Sequence, residues 1–301
     1  MRKSFLFFTY LILLTMLAYS QAKRSKTYRY EFVGGIGLSG FLGDLGGSYG
    51  TGNHFVKDYN LFSSRYCLDG GVRYKTNSRF AVKSMLSLAM VYGSDALSKD
   101  EIRQNRNLNF RSPIIELSVQ AEYYFISEVA KNLYSIGGLS SRKKRRKLSV
   151  YAFGGIGTFF YNPKEQLNGT WYSVRKYHLE GQGLPGGVKQ FSNFSVAIPV
   201  GLGFKEQVNK RWSVGCEFGL RKTFTDYIDG VSTTYYNPAL LLKYEGPIAV
   251  KLADPNLGKI DGATLAGQER GNSKYKDSYM FLTFNVGYKF GKKSHRTRAK
   301  F

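Results

Sequence analysis

Three histidines, two cysteines and a scatter of carboxylates are the residues of this 301-residue chain that could carry covalent or metal chemistry. His54, His178 and His295 stand far apart, and no spacing ties them to a serine nucleophile or to a set of metal ligands. Asp95, Asp100 and Glu101 crowd one segment but lack the alternating oxygen positions of a calcium loop. Gly34–Gly37 and Gly154–Gly157 both read GGIG, yet no GK[ST] and no helix pattern follows, so a phosphate cradle is not indicated. Such glycines more simply relieve crowding on a strand face or allow a bend. We therefore expect no catalytic residues, no metal site and no cofactor. One charged set is different in kind. Glu31, Asp69, Glu116, Glu122 and Glu217 alternate with apolar residues, and so do Arg73, Lys83 and Arg221, with Arg65, Lys205 and Lys289 in the same pattern. Their chemistry would be mutual pairing, because a buried charge without a partner is costly.

The elements that must position them read as β-strands. Trp212, Val214, Cys216, Phe218 and Leu220 are apolar on one face, against Ser213, Gly215, Glu217, Gly219 and Arg221 on the other. The same period recurs from Ile115 to Phe125, Phe194 to Phe204 and Met280 to Phe290, and around 30–39, 64–75, 79–92 and 148–160. Period two means strands. Segments of about 10–13 residues suit strands tilted across a membrane, and aromatics gathered at their ends (Tyr123, Tyr124 and Phe125; Phe159, Phe160 and Tyr161; Tyr288 and Phe290) suit interfacial girdles. The predicted fold is all-β, a transmembrane antiparallel up-and-down barrel of eight strands over 30–290. An extra hairpin, Ala239–Tyr244 with Pro247–Ala253, would make ten. An eight-stranded barrel is just wide enough to hold its own side chains, so Glu31, Asp69, Arg73, Lys83, Glu116, Glu122, Glu217 and Arg221 are expected to fill the lumen as an ion-pair core. On alternation Cys67 faces inward and Cys216 faces lipid, so no disulfide is expected.

Arg2 and Lys3, an apolar run over 5–17, and Ala18-Tyr19-Ser20 before Gln21 form a secretory signal peptide, residues 1–20, implying Sec export. Nucleic acid is thereby excluded as a partner despite the formal net charge of +23. Connections alternate long and short. Barrels of this type have short periplasmic turns and longer external loops, which puts 42–62, 94–108, 161–190 and 225–276 outside. The turns 75–78, 126–147 and 207–211, the segment 21–29 and the tail 291–301 fall on the periplasmic side. Fifteen bases then share that rim: Lys23, Arg24, Lys26 and Arg29; Arg142, Lys143, Lys144, Arg145, Arg146 and Lys147; Lys292, Lys293, Arg296, Arg298 and Lys300. They suit acidic periplasmic proteins or anionic headgroups of outer-membrane lipid and lipopolysaccharide. The ending Asn285-Val286-Gly287-Tyr288-Lys289-Phe290 resembles the signal read by the barrel assembly machinery.

Glu31-Phe32-Val33-Gly34-Gly35-Ile36-Gly37 through Gly43-Asp44-Leu45 resembles the start of the PorG-like outer-membrane barrels of Bacteroidetes. So does Arg103-Gln104-Asn105-Arg106-Asn107-Leu108-Asn109-Phe110-Arg111-Ser112, leading to Glu116 and Glu122-Tyr123-Tyr124-Phe125. The resemblance covers roughly residues 28–125. It implies a non-enzymatic outer-membrane component of the type IX secretion and gliding machinery, docked to periplasmic secretion-ring proteins, and it carries no catalytic residue with it. A lipid-modifying outer-membrane enzyme with its site in the external loops, and a surface adhesin or receptor barrel, are the competing expectations.

Overall fold

Strand β1 (Tyr30–Leu42) shows how the alternation becomes a wall. Tyr30, Phe32, Ile36 and Leu38 are exposed, whereas Glu31, Val33 and Ser39 are buried. The computed structural model describes residues 28–45, 63–98, 100–128 and 147–291. Seven further strands follow the same rule: β2 (Arg65–Lys75), β3 (Phe80–Ser94), β4 (Asn109–Ile126), β5 (Leu148–Tyr161), β8 (Phe194–Gln207), β9 (Trp212–Thr223) and β10 (Ser278–Phe290). Each pairs antiparallel with its neighbours around the ring, and Tyr30↔Phe290 through Leu42↔Ser278 joins the last strand to the first. The eight form a closed barrel with no free edge, as hydrocarbon demands of a sheet. Two short strands, β6 (Lys164–Leu167) and β7 (Thr170–Ser173), form an additional hairpin that meets β4 at the Arg111↔Lys164 pairing, at Asn109 with Gln166 and where the Arg111 guanidinium covers the Trp171 ring.

The outside is a lipid surface. Leu86, Leu88, Leu117, Val119, Val200, Leu202, Phe284 and Val286 are all exposed in its middle. The outward charges Glu206 and Lys222 lie at strand ends. At the end bearing the 76–79 and 208–211 turns, Tyr30 packs with Tyr74, Phe32 stacks on Phe290 and Trp212 lies against Tyr288. These are the aromatics that belong at a membrane–water boundary. The expected girdle needs correction at three positions. Tyr124, Phe159 and Tyr161 are buried in the interior, because neighbours on a strand point to opposite faces and only Tyr123, Phe125 and Phe160 can face out.

Both described turns at this end are built on an asparagine. Asn77 Oδ1 accepts from the amides of Arg79 and Phe80, and Asn209 Oδ1 accepts from those of Arg211 and Trp212. A side chain that mimics the backbone in this way tightens a hairpin. The GGIG glycines serve close approach. A Cβ at Gly37 would strike the Leu282 carbonyl, and one at Gly155 would strike that of Val119.

The opposite end carries a folded cap. A 3₁₀ turn (Asp95–Leu97) and helix α1 (Glu101–Arg106) follow β3. Helix α2 (Val174–Tyr177) follows β7. Helices α3 (Pro238–Glu245) and α4 (Pro247–Ala253) occupy the stretch expected to add a hairpin, so the count of ten strands by that route is wrong. Asn237 caps the amides of Ala239 and Leu240 with Pro238 at the first helical position, and Gly246 at φ 85° separates the two helices. These are helix start and stop signals, and they override an apolar run. Val174, Leu179, Leu241, Ala249, Leu252 and Ala253 give the cap a core of its own.

Candidate functional site: the ion-paired lumen and its cap

The alternation turns every lumen charge toward the barrel axis, and Arg73 of β2 is the hub. Its Nε donates to both oxygens of Glu122 at 3.0 and 2.8 Å, and its Nη1 donates to Glu31 Oε2 at 2.9 Å. Its Nη2 reaches Glu217 Oε1 and the Tyr151 hydroxyl, each at 3.1 Å. Lys83 donates to Glu217 Oε2 at 2.5 Å and pairs with Glu122 at 3.5 Å, and Lys205 donates to Glu31 Oε2 at 2.8 Å. Ser213 and Tyr124 hydroxyls complete Glu31 and Glu122 at 2.6 and 2.8 Å. Three carboxylates thus face three bases, drawn from every barrel strand except β5 and β10, and β5 adds the Tyr151 hydroxyl. Equal charge and a donor at nearly every lone pair are what let such a cluster exist away from water.

A second tier lies toward the cap. Arg221 Nε donates to Glu116 Oε2 at 3.3 Å, the Tyr279 hydroxyl donates to the same oxygen at 2.8 Å, and the guanidinium lies 4.1 Å over the Phe281 ring. Cys67 Sγ donates to Asp69 Oδ1 at 3.5 Å. Cys67 and Cys216 are both free thiols. Of the eight residues expected in the lumen, the structure brings Glu31, Arg73, Lys83, Glu122 and Glu217 into one cluster and Glu116 with Arg221 into another. Asp69 sits beside the second with no ion pair of its own among the described residues.

At the other mouth Glu128, just past β4, takes Lys75 at 2.8 Å and Lys289 at 2.7 Å. Burial disfavours its charge, yet the two ammonium groups outweigh burial and hold the carboxyl at about 2. A depressed carboxyl stabilises the fold above its unfolded value, and that stabilisation is lost as pH falls through the folded one. Glu128→Gln should therefore lower stability at neutral pH by on the order of 2 kcal/mol, discounted for partial exposure. Urea unfolding of the folded barrel should show the gap between variant and parent closing as pH drops from about 4.5 toward 2.

Sequence reasoning missed the cap's own charged centre. Arg270 is fully buried. It donates to Glu165 Oε1 at 2.8 Å, Glu180 Oε1 at 3.1 Å, the Gly230 carbonyl at 3.2 Å and the Ala253 carbonyl at 3.2 Å. One guanidinium therefore ties hairpin β6–β7, the 178–180 turn, the 226–232 loop and α4 together. Burial pushes Glu165 up to about 7 against the pull of Arg270. Arg106 clamps Asp95 at 2.7 and 2.9 Å and reaches the carbonyls of Arg270 and Asp44, joining the 94–108 loop to the same structure. Single charges in loops have no period, so no pattern marks them.

Of the fifteen rim bases, Arg29 donates to the Tyr74 hydroxyl at 3.2 Å and Lys147 is exposed. The other thirteen, with His54, His295 and the signal peptide, lie outside the described residues. His178 Nδ1 pairs with Glu245 Oε1 at 2.8 Å, while Ser173, five residues before it, donates to Asn162 Oδ1 at 3.0 Å.

A closed eight-stranded wall, apolar outside and ion-paired within, defines a transmembrane β-barrel of the outer-membrane kind. The chain belongs to the family described as Domain of unknown function (DUF6089), matched over residues 5–243. No curated protein sequence matches it. Among solved structures it is similar to the outer membrane protein OprG from Pseudomonas aeruginosa, at 10% identity and TM-score 0.36, over 89% of this chain and 99% of that one. It is also similar to Ail, the attachment invasion locus protein of Yersinia pestis, at 11% identity and TM-score 0.35, over 88% and 99%. The N-terminal β-barrel domain of Pseudomonas aeruginosa OprF stands at 10% identity and TM-score 0.32, over 87% and 98%. Likeness at this level transfers no activity.

Proposed function

We propose that this chain is a non-enzymatic outer-membrane barrel that docks a periplasmic ring assembly of the type IX secretion and gliding machinery. The observation that carries the reading is the lumen: Arg73, Lys83 and Lys205 are locked onto Glu31, Glu122 and Glu217 across the axis, leaving the interior to ion pairs. A barrel filled in this way acts through its rims rather than as a conduit. The basic segments 21–29, 142–147 and 291–301 supply a rim able to steer acidic periplasmic proteins, and the PorG-like segments point to the same partners. Outer-membrane lipid and lipopolysaccharide are the neighbours of its apolar belt, and the barrel assembly machinery acts on it during insertion.

Reversal of Arg142–Arg146 to acidic residues tests the docking. Turns of such barrels lie outside the hydrocarbon band, so heat-modifiable gel migration should persist. Exposed ion pairs contribute less than ~1 kcal/mol each, so one Lys→Ala change should be nearly silent while the full reversal releases the periplasmic proteins that co-isolate from solubilised outer membrane. Undiminished co-isolation and secretion by the reversed variant would remove the cluster from the docking role.

A second reading, a surface receptor or adhesin, is favoured by the folded cap with its own apolar core and its Arg270 centre. Protease shaving of whole cells that trims 225–276 and leaves secretion intact, while abolishing attachment, would favour it instead.

A further inference from the structure

We propose that a cationic pocket where the cap meets the barrel wall binds the phosphorylated sugar headgroup of a glycolipid of the outer leaflet. The pocket has a volume of about 360 Å³ and is lined by Phe160, Asn162, Arg175, Lys176, Gln190 and Asn193. Phe160 is the last outward residue of β5, and it pairs with Phe194 at the start of β8. Their rings meet edge to face at 5.2 Å, and Phe194 is 68% exposed. Below them Ile156, Ile198, Val200 and Leu202 continue the exposed apolar face down the same two strands. A polar pocket thus opens directly above a hydrocarbon-facing stripe.

The charge here is one-sided for a structural reason. Segment 161–193 holds four bases, Lys164, Arg175, Lys176 and Lys189, and two acids, Glu165 and Glu180. Both acids are buried on Arg270, whereas Arg175, Lys176 and Lys189 are exposed. Folding of the cap therefore draws the acids of this segment inward and leaves its bases at the surface. Among the described residues neither Arg175 nor Lys176 has an ion pair. Arg175 Nε donates to the Phe191 carbonyl at 3.1 Å, and Lys176 Nζ lies 5.9 Å from the Tyr177 ring centre. The two terminal nitrogens of Arg175 are left over. A guanidinium fork beside an ammonium group suits a phosphate, the first as a bidentate donor and the second as a point charge.

One acceptor in the lining calls for a donor as well. Gln190 Nε2 is spent on the Arg175 carbonyl at 3.1 Å, while its Oε1 is buried without a hydrogen-bond partner. Orphaned buried acceptors are rare in folded proteins. An ionised phosphate has no proton to offer this oxygen, but a sugar hydroxyl has. Asn162 Oδ1 accepts from the Ser173 hydroxyl at 3.0 Å and Asn193 Nδ2 donates to the Tyr161 carbonyl at 2.8 Å, which fixes both amides and leaves Asn162 Nδ2 and Asn193 Oδ1 for a ligand. Phosphate, hydroxyls and hydrocarbon in one molecule describe a phosphorylated glycolipid. The long loops of such barrels lie on the external side, so headgroups of the outer leaflet reach this pocket. The assignment rests on the cap lying outside and not on the periplasmic docking.

The test uses the full-length barrel, delipidated and purified in maltoside detergent, so that no periplasmic protein is present and the outcome is separate from the docking reading. Native mass spectrometry should count a single diphosphoryl lipid A bound per chain. Lipid A stripped of its phosphates should bind roughly thirtyfold more weakly, as for the loss of two basic contacts at an anionic surface. Glucosamine phosphate and inorganic phosphate, each in large excess, should not displace the lipid. Displacement by either would overturn the lipid as the source and assign the pocket to a soluble anion. Arg175→Ala with Lys176→Ala should weaken lipid A binding by the same factor and keep heat-modifiable migration. Lys176→Glu breaks no hydrogen bond and should give the same direction if the double variant does not fold. Lys243→Ala with Lys251→Ala removes equal charge from exposed positions on α3 and α4 and should bind as the parent does. Absence of lipid A binding by the parent, undiminished binding by the pocket variants, or an equal loss in the helix control overturns the proposal.

Discussion

Arg73→Met should destabilise the folded barrel by roughly 3–5 kcal/mol, the cost of stranding buried carboxylates without their partner. Arg73 binds Glu31, Glu122 and Glu217 at once, so its loss leaves three acids facing only Lys83 and Lys205. The Tyr151 hydroxyl keeps its bond to Glu217 at 2.5 Å, so the deficit is one of charge more than of hydrogen bonds. Urea unfolding of the barrel folded into vesicles would read the cost as a lower midpoint at unchanged slope. A charge-balanced control separates the charge from the shape. Glu31→Gln with Lys205→Met removes one acid and one base, leaving Arg73 and Lys83 with Glu122 and Glu217. That pair should cost well under half as much, because replacing a whole ion pair is often close to neutral. Equal losses from both variants would mean that volume, not charge pairing, holds the lumen together.

Arg270→Leu should open the cap and leave the barrel standing. Arg270 is fully buried and bridges Glu165, Glu180 and two carbonyls from four separate segments. Removing it leaves the buried Glu165 and Glu180 without their cation, although Glu180 keeps its bonds from Ser232 and Thr233, and deprives two carbonyls of this donor, a local cost again of roughly 3–5 kcal/mol. The cap's apolar core is small, six buried side chains from Val174 to Ala253, and cannot absorb a loss of that size. The wall is independent of it, since its strands are held by their own ladder and by the Arg73 cluster. Limited proteolysis should cut 161–193 and 225–276 quickly in the variant, while heat-modifiable migration and the urea midpoint of the barrel stay at parental values. Coupled loss of both would mean that the cap is part of the barrel's folding unit.

Much of the wall was legible because a membrane barrel writes a two-residue period into every strand. Glu31, Arg73, Lys83, Glu122 and Glu217 could be assigned to the interior from that period alone, as could Cys67 inside and an eight-strand count. What period cannot give is distance around the ring. That Arg73 meets Glu122 and Glu217, 49 and 144 residues away, follows only from closure of β1 on β10 and the register it imposes. Aromatic composition at a strand end suggests a girdle for Tyr124, Phe159 and Tyr161, but strand parity turns them inward, where the structure has them. In 238–253 an apolar run beside a barrel pattern suggests strand, but the local helix signals, Asn237-Pro238 and Gly246-Pro247, prevail. The cap centre at Arg270 has no sequence period at all. It becomes a site only when loops from distant parts of the chain are gathered at one mouth, because long-range charge pairing is decided by the tertiary closure of the barrel and not by any residue's neighbours in sequence.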